Sequence, residues 1–96
     1  MSRLRRRYGH SVWEGTDHIE KRLRMCRNRL SYVIHPGPGG PQPAHDAEVI
    51  DTAEQTYAWL ASQKAPRTVK SWVGMELRSF RALIDRAAEA HDKRST

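Results

Sequence analysis

The side chains with the most chemical potential in this chain are five histidines, one cysteine and a large excess of cations. His10, His18, His35, His45 and His91 form no HxxxH pair, and Cys26 has no second cysteine to make a CxxC. Helical metal sites need ligands three or four residues apart, so this spacing predicts no metal centre and no bound cofactor. Asp46, Glu48, Asp51 and Glu54 disperse around a helix instead of converging as a catalytic carboxylate pair would. The only glycine-rich stretch, HPGPGGPQP over residues 35–43, lacks the Lys-Ser/Thr ending of a phosphate-cradling loop. Its prolines also remove the N–H donors such a loop uses. No Ser-His-Asp spacing can be placed either, and the sequence predicts a protein without enzymatic activity.

The cations remain, and the chemistry open to them is the binding of anions. The 96 residues carry 17 Lys/Arg against 11 Asp/Glu, a formal charge of +6. The excess is uneven along the chain. Residues 1–34 hold nine Lys/Arg and three acids, residues 35–65 one and four, and residues 66–96 seven and four. Such asymmetry suits a polyanionic partner, nucleic acid above all. The same pattern arises if the acidic middle lies between two basic helices, but that leaves the N-terminal arginines unexplained. Arg3, Arg5, Arg6 and Arg7 fall in a short charged stretch that cannot order itself by burial. Residues 1–10 are therefore expected to be a flexible basic arm, for phosphates or for solubility.

Three helices are expected to position the rest. Ile19, Leu23, Cys26, Leu30 and Val33 repeat at four and three residues, predicting a helix over 17–34 with one apolar seam. Asp17 with Glu20 reads as a capping-box variant at its start. Its other faces carry Lys21, Arg22, Arg24, Arg27 and Arg29, either a phosphate-tracking surface or an ordinary solvated face. Residues 35–43 hold four of the five prolines and read as a linker. A second helix is expected over 44–64, burying Val49, Ile50, Ala53, Tyr57 and Leu60, with Trp59 off that stripe as a candidate protein contact. The third is expected over 67–91, with Pro66 in its first turn or Thr68 as its cap, and an apolar face of Val69, Val73, Leu77, Phe80, Ile84 and Ala87. Cys26, on an apolar seam, reads as a buried inert thiol. The fold class is all-α, one domain of about three helices arranged as a bundle or a helical dimer. One cysteine, no long apolar run and no secretory leader predict a cytoplasmic protein without a membrane partner.

The segment RTVKSWVGMELRSFRALI (67–84) resembles the recognition-helix region of helix-turn-helix DNA-binding domains, of the sigma-like and LuxR-like kind. That resemblance implies that Val69 anchors a helix to the core. It further implies that Arg67, Thr68, Lys70, Ser71 and Arg78 face bases or phosphates. With Arg22, Arg24, Arg27 and the arm arginines they make up the candidate nucleic-acid surface of a DNA-binding regulator. The alternative is a non-enzymatic adaptor or inhibitor, in the style of mobile-element proteins. It would dock on a larger protein through Trp59 and Trp72. Either function is compatible with a homodimer.

Overall fold

The computed structural model describes residues 16–95; the proposed arm with Arg3, Arg5, Arg6 and Arg7, and also Trp13, lies outside them. Three helices follow one another: α1 Asp17–Ile34, α2 Pro43–Ser62 and α3 Lys70–Ser95. Each touches both of the others. The described part is all-helical, as the patterning requires.

Contacts between pairs of residues give the directions. Arg22 of α1 lies over Trp59 near the end of α2, while Arg29 and Tyr32 line one pocket with His45 and Asp46 from its start, so α1 and α2 run antiparallel. Glu54 pairs with Arg81 and Leu60 shares a groove with Val73, so α2 and α3 are antiparallel too. Arg27 pairs with Glu76, and further along Arg94 reaches the carbonyls of Val33 and Ile34, so α1 and α3 run the same way. This last contact caps α1. Its final turn has no basic residue of its own, and the Arg94 guanidinium supplies donors to two orphan carbonyls.

The core is the meeting of three stripes. Ile19, Leu23, Cys26, Leu30 and Val33 come from α1, Val49, Ala53 and Leu60 from α2, and Val73, Phe80, Ile84 and Ala87 from α3. Val69 and Leu77 pack at its margin. The stripe of α2 is rotated from the expected one. Ile50 and Tyr57 are only half-buried, whereas Asp46 and Thr56 are buried. Thr56 can occupy an apolar position because its hydroxyl donates to the Thr52 carbonyl at 2.9 Å and lies 3.7 Å from the Cys26 thiol. Burial of Cys26 makes it a packing residue.

Helix α1 has the expected limits, whereas its cap and the limits of α2 and α3 differ from expectation. Thr16, not Asp17, precedes α1, and no side chain caps it; the Thr16 carbonyl takes the Glu20 N–H at 2.9 Å. Pro43 starts α2, at the position where a missing N–H costs nothing. Pro66 lies before α3, buried in the connection, with its carbonyl accepting from the Val69 N–H at 3.0 Å. Arg67 and Thr68 therefore sit in a turn ahead of the helix. In the first connection the Gly40 N–H donates to the Gly37 carbonyl at 2.9 Å, a β-turn with Pro38 at its second position. Gly40 follows in the left-handed region at φ 76°, where a side chain would be strained.

Arg81 ties α3 to α2. It meets Glu54 through two bonds of 2.8 and 2.6 Å, reaches Asp85 at 2.8 Å, and stands 5.2 Å from the Tyr57 ring centre. Its hydrogen bonds, aided by its charge and opposed by burial, hold the Glu54 carboxyl below the usual glutamate range. A depressed carboxyl stabilises the fold above its unfolded pKa, and that contribution is lost as pH falls through the folded value. Arg81→Met is expected to cost about 1 kcal/mol near pH 7, since the pair is part-exposed and screened. The gap between wild type and variant in urea unfolding should close at pH values below the folded Glu54 pKa.

Gly74, inside α3, has no such constraint. A Cβ there would meet only the Arg78 Nη1 at 4.0 Å. Gly74→Ala should therefore raise stability by about 0.5–1 kcal/mol, read as a higher urea midpoint.

Candidate nucleic-acid interface

Folding sorts the charges along the bundle. One end holds the start of α1, the end of α2, the turn at 63–69 and the start of α3. Cutting each helix at its middle, this end has eight Lys/Arg against four Asp/Glu, and the opposite end five against six. Four of the candidate cations, Arg22, Arg24, Arg67 and Lys70, are exposed here together with Lys21 and Lys64. Thr68 and Ser71 are exposed at the same end, and Arg78 stands two turns further along α3. The chain enters the described bundle at Thr16, on this same end.

Helix dipoles add to the asymmetry. The N-termini of α1 and α3 both open onto the cationic end, and each carries partial positive charge. Asp17 and Glu20 offset it at α1, whereas α3 has no acidic residue in its first turn and begins with Lys70. An anion near the start of α3 therefore meets the positive end of that helix and Lys70, offset in part by the C-terminus of α2 on the same groove.

The candidate residues of α1 do not form one stripe. Arg22 turns toward α2, its guanidinium carbon 4.3 Å from the Trp59 ring centre. Arg27 turns the other way and pairs with Glu76 at 2.6 Å, with side-chain exposures of 34% and 23%. A guanidinium already engaged so closely has little left for a phosphate, and Arg27 is better read as a tie between α1 and α3. Arg24 lies between them, on the wall of a groove shared by Glu20, Trp72 and Glu76. Trp72 is thus half-buried beside arginines, and Trp59 is half-buried beneath one.

A second groove, of about 430 Å³, runs between the end of α2 and the start of α3. Leu60, Ala65, Val73 and Leu77 give it an apolar floor, Gly74 leaves it open, and Lys64 and Lys70 stand along it. Neither lysine stood out in the sequence as a pair, because only the reversal at 63–69 brings them together. The connection spans seven residues between antiparallel helices, whereas a helix-turn-helix joins its helices through three or four residues at about 90–120°.

Among the described residues no three His, Cys, Asp or Glu side chains gather as a metal site, and no helix is long and apolar enough to cross a membrane. Comparison of the chain with protein-family models, curated proteins and solved structures gives no match.

Proposed function

We propose that this chain is a small nucleic-acid-binding protein that presents the cationic end of its bundle to the phosphate backbone. The observation that carries the reading is the polarity of charge along the bundle. Eight Lys/Arg against four acids collect where the chain enters, where α2 ends and where α3 begins. Lys21, Arg22, Arg24, Lys64, Arg67 and Lys70 would supply phosphate contacts, and Arg3, Arg5, Arg6 and Arg7 precede the described residues in the chain and would add to those contacts. Ser71 and Arg78 lie exposed on α3, where they would meet bases or sugar in a regulator of DNA.

Anisotropy of a labelled random duplex, titrated over a range of salt concentrations, tests the proposal. Log affinity is expected to fall with log salt by about 0.9 per neutralised phosphate, so four or five contacts give a slope of about −4. No binding at low salt sinks it.

A second reading rests on the groove between α2 and α3 and on the half-buried Trp59 and Trp72. An apolar floor flanked by lysines suits an acidic helix of a larger protein, with Trp59 and Trp72 as separate aromatic contacts, the adaptor or inhibitor role. That reading expects a protein contact weakened by Trp72→Ala and only modestly by salt, and no duplex binding.

A further inference from the structure

At the end of the bundle away from the cationic surface, the proline–glycine connection arches over the crossing of α1 and α2. Beneath it is a pocket of about 300 Å³, near the lower limit for small-molecule sites. Asp46 lines it from the first turn of α2 and Arg29 from the facing side of α1. Tyr32, Pro38 and Pro41 contribute apolar surface.

Asp46 is only 6% exposed, yet among the described residues its carboxylate has no hydrogen bond and no ion pair. Its main-chain N–H is satisfied, donating to the Gln42 carbonyl at 2.8 Å. A buried carboxylate without a partner costs several kcal/mol on the usual scale. Arg29 is the obvious neutralising group, and it lines the same pocket without forming an ion pair with Asp46. The fold thus sets a buried anion and an exposed cation, unpaired with each other, on the lining of one cavity.

We propose that this pocket binds a compact zwitterion of the amino-acid class, its ammonium on Asp46 and its carboxylate on Arg29. A bare amine would satisfy Asp46 but meet the positive charge of Arg29. A bare carboxylate would meet Arg29 and leave Asp46 alone. Only a molecule with both charges, opposite in order to those of the wall, satisfies both groups. Tyr32, 68% exposed, offers its ring to the connecting methylenes or to the ammonium. The proposal does not depend on nucleic-acid binding.

The test titrates the full chain with glycine, 4-aminobutyrate and 6-aminohexanoate, and with n-butylamine and butyrate, following the backbone amides of Gly37, Gly39 and Gly40 by NMR. One of the zwitterions is expected to bind on the order of tenfold tighter than butylamine or butyrate, the factor expected of one charge-assisted hydrogen bond. Asp46→Asn should abolish that binding, and Arg29→Gln should reduce the zwitterion to the affinity of the amine. In urea, Asp46→Asn without ligand should be at least as stable as wild type, because it removes an uncompensated charge. A less stable Asp46→Asn would mean that the carboxylate has a partner within the fold, and would overturn the proposal. So would zwitterions that move none of the loop amides, or that bind Asp46→Asn and wild type equally.

Discussion

Phe80→Ala is expected to remove most of the stability of this bundle. Phe80 is fully buried at the middle of α3, the helix that packs along both α1 and α2, and it is the largest of the fully buried side chains. Truncating a buried phenylalanine costs about 3–5 kcal/mol, the sum of lost transfer energy and an unfilled cavity. Eighty described residues at about 0.05–0.15 kcal/mol each give a domain only about 4–12 kcal/mol to lose. The loss is hard to relieve by collapse, because Ile19, Leu23, Leu30, Leu60 and Ile84 are themselves at or near zero exposure and held by three different helices. Urea unfolding followed by circular dichroism measures it, with Phe80→Leu as a milder truncation that keeps an apolar side chain and is expected to cost about 1 kcal/mol. If alanine at 80 costs no more than leucine, the three stripes do not close on this ring.

How far the core was legible in the sequence depended on how cleanly each helix separates its faces. In α1 all five residues of the apolar seam are buried, because most of the side chains between them are charged or amide, and Met25 and Tyr32 fall on the outer faces. In α3 Val73, Phe80, Ile84 and Ala87 are buried, and Val69 and Leu77 fall at the edge, where the connection and the open groove leave them half-covered. In α2 Val49, Ala53 and Leu60 are buried as expected, while Ile50 and Tyr57 are only half-buried. Ile50 and Tyr57 drew its stripe toward themselves by size, whereas the packing chose Thr56 and Asp46. A threonine that bonds its own helix hides its polarity from any neighbour, and no hydropathy pattern registers that.

The candidate site was legible in composition but not in arrangement. A run such as Lys21 to Arg29 reads as one cationic face, yet helical geometry sends Arg22 to Trp59 and Arg27 to Glu76 on opposite flanks. Glu76 is 49 residues from Arg27, and local spacing carries no sign of so distant a partner. Conversely Lys64 carries no signal of its own in the sequence, and it joins the candidate Lys70 on one groove only because α3 reverses direction. Asp46 drew no attention either, being one of four acids on α2, until burial set it apart from Glu48 and Asp51. Partners and burial are tertiary facts, which is why composition could suggest an anionic ligand but not which cations remain to meet it.

That difference sets the most discriminating experiment on the proposed function. Lys64→Ala/Lys70→Ala removes two charges from the groove at the cationic end, and Arg86→Ala/Lys93→Ala removes the same number from a groove at the other end. All four side chains are exposed, so neither pair is expected to shift stability by more than about 0.5 kcal/mol per residue. The first variant should flatten the salt dependence by about 1.8 and weaken duplex binding several tens-fold near 0.1 M salt, at about 0.9 per lost phosphate contact. The second should change affinity by only about twofold, since its charges lie beyond a Debye length of about 10 Å from a phosphate held at the far end. Because net charge falls equally in both, a difference between them can come only from where the charges sit. Equal weakening would mean that the chain attracts nucleic acid by net charge alone, and the cationic end would lose its claim to be a site.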